Sequence, residues 1–295
     1  MPERPIGSPP EADATNPVDP REKLKVAYQD VQVASSYDEE RDFRATDVSL
    51  HYETEIIGLR EALRGVRGPI LEVAIGTGRL CRRLRDVGPS DMPYVGLDVS
   101  FPMLYEARKS LGAYCHALGI PPEADLSGFA VANNKPLSQS ASVRPVHLLR
   151  ADAFQMPFPD QRFHAVVGFR FIKHLSPSNR RLMYKEVNRL LVKDGLLIFD
   201  FYGWRRRARS QEEGHRLTPL ALRKELEESG FRPIKIYGTR HLLPALLSVP
   251  FRALGLKAPV KALGLLEVKL LSPIDELLDR SRGGIVVAKK IGGRE

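Results

Sequence analysis

Short apolar runs alternate with amphipathic stretches over most of the chain, and this alternation predicts its elements. Ile70 to Ala74, Tyr94 to Leu97 (ending on Asp98), Val146 to Leu149, His164 to Phe169 and Leu196 to Phe201 read as strands. Helical patterns fall between them: one from the glycine turn after Ala74 to Arg85, then Phe101 to Leu111 and Asn179 to Leu191. Thr218, with Pro219 at the first helical position, opens another helix that ends at Ser229 before Gly230. Phe231 to Tyr237 and Ile285 to Ala288 supply two more strands. Buried apolar strands alternating with helices predict an α/β fold, a mostly parallel sheet covered on both faces.

Other stretches depart from this rhythm and set the expected boundaries. Residues 1–21, dense in proline and poor in large apolar side chains, are expected to be a disordered tail. Residues 22–66 form an N-terminal helical segment, with a pattern from Asp47 to Arg64 carrying Leu50, Ile56, Ile57, Leu59 and Leu63. The core runs over 67–240 and contains an aperiodic Pro/Ser/Asn-rich loop insertion at 117–143. Leucine-rich residues 241–282, broken by four prolines, are expected to be short helices inserted before the last strand and tail at 283–295.

Composition narrows the class. A chain of 295 residues, 43% hydrophobic, is long enough to build a core without staples. Its two cysteines, Cys81 and Cys115, have no metal-ligand spacing, which argues against a disulfide scaffold or a zinc site. The longest charge-free apolar stretch, His241 to Phe251, is far below the roughly 20 residues of a membrane span. A cytoplasmic protein is expected. The net charge of +9 is uneven: 26 Lys/Arg face 26 Asp/Glu in 1–200, and 19 face 10 in 201–295. That basic third is either a solvated face or a contact for an acidic partner, such as an anionic membrane surface or nucleic acid.

The sharpest chemical signal is Leu71-Glu72-Val73-Ala74-Ile75-Gly76-Thr77-Gly78-Arg79-Leu80, a strand running into a Gly-x-Gly turn and a helix. Cys81 stands where a strict dinucleotide fingerprint has its third glycine. Asp98 ends the next strand and Asp152 follows the third, so Glu72, Asp98 and Asp152 fall near the carboxyl ends of three successive strands. Ligands of doubly wound sheets bind in that crevice.

At these residues the chain resembles the class I S-adenosylmethionine-dependent methyltransferases. Leu71 to Arg79 matches their first motif, with Ala74 where many members have a glycine. Gly96 to Ser100 with Met103-Leu104 matches the second, Asp152-Ala153 and Met156-Pro157-Phe158 the third, and Leu191 to Phe199 the later strand. Ala34 to Asp38 adds a likeness to the small-molecule branch typified by ubiquinone and menaquinone biosynthesis. The resemblance implies a Rossmann-like doubly wound sheet of seven strands, the last antiparallel, with S-adenosyl-L-methionine as cofactor.

It further implies that Glu72 holds the methionine ammonium and that Ala74, Gly76 and Gly78 let the ligand approach the backbone. By the same resemblance Asp98 binds the ribose, Met103 packs on the adenine, Asp152 and Ala153 read its edge, and Phe169 meets the methionine end. Tyr37 is either a cover for the cofactor or an ordinary buried tyrosine. His174 is the candidate general base, or a helix-capping histidine; Arg170 orients an anionic substrate or serves a salt bridge. No metal is expected. The leucines of 241–282 suggest a lid over a small, hydrophobic or lipid-like acceptor, with peripheral contact to an anionic membrane as a second reading and a plain helical cap as the third. Rival readings are an RNA methyltransferase using Arg205, Arg206, Arg207 and Arg209, a nicotinamide oxidoreductase, and a non-catalytic cofactor-binding protein.

Overall fold

The computed structural model describes residues 26, 28–40, 50–87, 92–112, 115–117, 146–203, 216–238, 242–277 and 283–292. The 1–21 tail, nearly all of the 117–143 loop and the 205–209 arginine run lie outside these residues. The strands are β1 (Ile70–Val73), β2 (Tyr94–Asp98), β3 (Cys115–Ala117), β4 (Val146–Arg150), β5 (Phe163–Gly168), β6 (Leu191–Gly203), β7 (Arg216–Leu217), β8 (Phe231–Gly238) and β9 (Gly283–Lys290). They form one sheet in the order β3-β4-β2-β1-β5-β6-β9-β8, with β7 beside the end of β6. Pairing is parallel except at β9, which runs antiparallel between β6 and β8. The seven predicted strands are therefore present in a doubly wound sheet with an antiparallel last strand. Two short strands, β3 and β7, join them.

Helices α1 (Val31–Glu40), α2 (Leu50–Ala62), α3 (Arg79–Val87), α4 (Phe101–Leu111), α5 (Pro177–Leu190) and α6 (Pro219–Glu228) accompany the sheet. Ser100, Ser176 and Thr218 cap α4, α5 and α6, each accepting a backbone N–H three residues on, and each helix carries a proline in its first turn. Alternate strand residues feed two cores. Leu71, Val73, Leu97 and Phe199 pack with Met183, Tyr184 and Leu226 on one face. Ile70, Tyr94, Leu148 and Ile198 pack with Ile56, Leu80 and Leu104 on the other. The period-two alternation, apolar at both parities, is what a sheet buried on both sides demands.

The chain leaves β1 toward β2 and β4, then returns to β5 and β6 on the other side. This reversal creates a crevice at the carboxyl ends of β1, β2, β4 and β5.

The insertion forms α7 (Leu242–Ala253), α8 (Lys257–Leu266), a π-helical turn (Glu267–Leu271) and α9 (Ser272–Leu277). It packs against α2: Val260, Phe251 and Leu263 meet Leu50, and a Cβ built on Gly264 would lie 3.2 Å from Ile57. Thr54 donates to Glu267 at 2.7 Å, and Ser272 donates to the Gly238 carbonyl at 3.0 Å. These contacts set the helices against α2, and no described residue of 242–277 lines the cavity in the crevice.

Candidate active site

A cavity of about 220 Å3 occupies the crevice. Of the residues singled out from the sequence, Tyr37, Glu72, Ala74, Gly76, Asp98, Met103, Asp152, Ala153, Phe169, Arg170 and His174 all line it. Gly78 does not. Its φ of 74° and the 3.3 Å that would separate a Cβ there from the Ala107 Cα make it a packing point between the glycine turn and α4.

The floor is built by the turn after β1. Ala74 and Gly76 both have positive φ, 55° and 57°, which folds the backbone back on itself. A Cβ on Gly76 would meet no atom within 4 Å, so a ligand can rest directly on the backbone. The Gly76 amide donates to Asp98 Oδ2, and the Ser100 amide to Asp98 Oδ1, each at 2.9 Å. Asp98 thus ties the two turns together while remaining at the cavity wall. Burial raises its carboxyl, and the amides of Ser100, Gly76 and Val99 oppose that rise.

Glu72 is 3% exposed and accepts a 2.7 Å hydrogen bond from the Tyr94 hydroxyl. Burial pushes its carboxyl up to about 8, against the Tyr94 bond and the Arg79 charge. A buried acid facing an open cradle is suited to a ligand cation. The fit to a ligand with an ammonium and a hydroxyl-bearing sugar is therefore good. On the neighbouring wall, Asp152 Oδ1 accepts the Phe154 amide at 2.9 Å, holding the 152–155 turn, and the edge-on pair Phe154 and Phe171 stands beside it.

The N-terminal segment closes one side. Thr77 donates to Asp38 at 2.8 Å, Gln29 donates to the Val99 carbonyl at 3.3 Å, and the rings of Tyr28 and Tyr37 meet edge to face at 5.8 Å. Both tyrosines line the cavity.

Sequence reasoning missed a cluster of charges around Glu55. Its carboxylate, 1% exposed, lies 3.0 Å from His51 Nε2, 3.2 Å from Arg170 Nη2 and 3.7 Å from Arg79 Nη2. Burial opposes its ionisation, yet His51 and Arg170 prevail and hold it well below the usual carboxylate range. Arg79 also stacks 4.1 Å over the Tyr52 ring. Arg170 sits at φ 60°, held there by its amide's 2.6 Å bond to Asp200, whose other oxygen pairs with Lys173. The available signal was Glu53 and Glu55 inside a helix that carries the apolar Leu50, Ile56, Ile57 and Leu59. His174 ends a 3-10 turn (Ile172–His174) at the exposed rim.

A family model described as a methyltransferase domain matches residues 123–199, a span containing Asp152, Ala153, Phe169, Arg170 and His174 but neither the glycine turn nor Asp98. No curated protein matches the sequence significantly. Among solved structures, the chain is similar to magnesium protoporphyrin IX methyltransferase from Synechocystis with bound S-adenosylmethionine, at 13% identity, 95% coverage of this chain and 100% of that one, with a TM-score of 0.52. It is similar also to an S-adenosylmethionine-dependent methyltransferase from Aquifex aeolicus (12% identity, 89% and 99% coverage, TM-score 0.51). The [4+2]-cyclase SpnF (16% identity, 82% and 81% coverage, TM-score 0.50) has the same fold. At these identities the structural likeness speaks for the fold, and the domain match speaks for the chemistry. The methyltransferase-domain match over 123–199 and the sheet order together make the chain similar to the class I S-adenosylmethionine-dependent methyltransferases.

Proposed function

We propose that the protein methylates a small, hydrophobic or lipid-like acceptor that carries an anionic group. The observation carrying this reading is the double character of the cavity wall: Phe154, Phe169 and Phe171 stand with the guanidinium-bearing Arg79 and Arg170, beside a separate set of carboxylates.

In this reading Glu72 meets the methionine ammonium of S-adenosylmethionine and Asp98 the ribose hydroxyls. Met103 packs on the adenine face, and Asp152 with the Ala153 backbone takes its edge. The bound cofactor supplies a methyl group activated on a sulfonium. The chain's own work is alignment and exclusion of water by Tyr28, Tyr37 and Phe171. His174 at the rim would take the acceptor nucleophile's proton, where it has one, as the methyl's bond to sulfur gave way to its bond to the acceptor. Arg170, fixed by Glu55 and Asp200, orients the acceptor's anionic group.

The test is methyl transfer from labelled S-adenosylmethionine to separate pools of lipids, quinones, phenolic acids and RNA. Label entering apolar, acid-bearing small molecules supports the reading. Label entering RNA alone, or no pool at all while the cofactor binds normally, overturns it.

A further inference from the structure

The inserted helices carry their amphipathic pattern inside out. On their inner side they bury Ser248, Val260, Gly264, Glu267, Val268 and Ser272, with Phe251 and Leu263 partly buried against Leu50. Toward solvent, α7 presents Leu246, Leu247 and Val249, at 60%, 47% and 55% exposure. Leu254 and Leu256 follow in the turn, then Leu265 on α8, with Leu270 and Ile274 beyond. Half of the sixteen large apolar side chains exposed among the described residues lie in this one segment. A helix that only covered a core would turn these leucines inward, and exposed apolar side chains concentrated in one segment point to an interaction site.

Among the described side chains of 244–274 the exposed charges have one sign. Arg252, Lys257, Lys261 and Lys269 are exposed. Between residues 244 and 274, where side chains are described, the only acidic residue is Glu267, and it is buried against Thr54. Leucines interleaved with lysines, with no exposed acid among the described side chains of 244–274, complement an apolar layer beneath anionic headgroups. A second copy of the chain fits less well, since a two-fold contact would bring the same cations face to face. The cores of protein interfaces are also depleted in lysine.

We propose that the outer face of α7 and α8, with the turn between them, docks the protein on the surface of an anionic lipid bilayer. The leucines enter the headgroup and acyl boundary, while Arg252, Lys257, Lys261 and Lys269 meet lipid phosphates. No helix among the described residues is long and apolar enough to cross a membrane, so the contact lies on the surface. No described residue of these helices lines the cavity, so docking is separable from cofactor binding.

The test is co-sedimentation of the whole chain with vesicles of phosphatidylcholine alone and of phosphatidylcholine mixed with phosphatidylglycerol. Sedimentation with the mixed vesicles, weakened by added salt, is expected. Each lysine near such a surface contributes about fivefold in affinity, so Lys257→Glu with Lys261→Glu should weaken binding about twentyfold or more. Leu246→Asp with Leu254→Asp should abolish it while the melting temperature and cofactor affinity, measured in parallel, stay unchanged. Absence of wild-type binding to mixed vesicles, or unchanged binding by either variant, overturns the proposal. So does a dimer, dissolved by the leucine substitutions, in a protein that ignores vesicles.

Discussion

The Tyr94 hydroxyl on β2 donates to the Glu72 carboxyl on β1 at 2.7 Å, inside the same buried face of the sheet. Because burial pushes that carboxyl up to about 8, the ligand-free protein holds Glu72 neutral at pH 7, whereas the unfolded chain ionises it near 4.5. The folded state then binds the extra proton between these values. Stability should fall as pH rises through that window, by on the order of 5 kcal/mol in all. Denaturant unfolding of the ligand-free protein at a series of pH values checks this, and Glu72→Gln should flatten the profile. An unaltered slope in the variant would assign the proton elsewhere.

The same carboxyl makes cofactor binding proton-linked. An ammonium placed against Glu72 draws it into its ionised form, so binding at pH 7 should release about one proton, and affinity should climb toward pH 8. Calorimetry in buffers of different ionisation enthalpy measures the release. Glu72→Gln should bind more weakly and release none.

Asp98 serves the protein as well as the ligand. It accepts the Gly76 and Ser100 amides, so Asp98→Ala should cost about 1–3 kcal/mol of stability by leaving buried donors unmet, besides weakening the cofactor about tenfold to a few hundredfold. A melt and a calorimetric titration on one preparation separate the two losses. Full affinity in the variant would mean that the ribose is held by another group.

Glu55→Ala should be worse for the fold than for the ligand. The substitution leaves Arg79 and Arg170 without their shared, buried counter-charge, a loss of about 3–5 kcal/mol. Since Glu55 is depressed in the folded state, its contribution is present above the unfolded value and disappears as pH falls through the folded one. The wild type should therefore lose stability on acidification more steeply than Glu55→Gln, and urea titrations at neutral and acid pH compare them.

Thr77→Val removes the bond to Asp38 and keeps the side chain's shape. If α1 covers the cofactor, dissociation should quicken about fivefold, in line with a bond worth about 1 kcal/mol. Stopped-flow displacement gives the rate; an unchanged value would leave α1 as packing alone.

The strands of the fold were legible because each central one is a short apolar run ended by a turn residue. Chain statistics hide the exceptions for physical reasons. β3 is three residues long and pairs on one side only, so no buried run marks it. β6 begins at Leu191, directly from α5, through a turn in which Asp194 takes φ 63°, and the Lys193-Asp194-Gly195 signal reads as an interruption. The carboxylate set of the cavity was readable because each member falls near the carboxyl end of a strand. The Glu55 cluster was not, since it depends on how α2 lies against α3 and the loop after β5. The direction of the leucines of 241–282 was not in the sequence: Gly264 allows close packing on α2, while Leu246, Leu247, Val249, Leu254 and Leu256 are exposed.

The position of β9 also bears on how the molecule is assembled. β6 and β8 do not touch; they are joined by a strand that the chain reaches only after all of α7, α8 and α9. The register from Leu196 with Lys289 to Tyr202 with Gly283 closes loops of roughly ninety residues, the kind of non-local pairing that slows folding. β1 to β6 can assemble from local crossovers before that. The outward leucines thus sit on a segment tied to the fold by long-range contacts, to α2 along its helices and to the sheet through β8 before it and β9 after it.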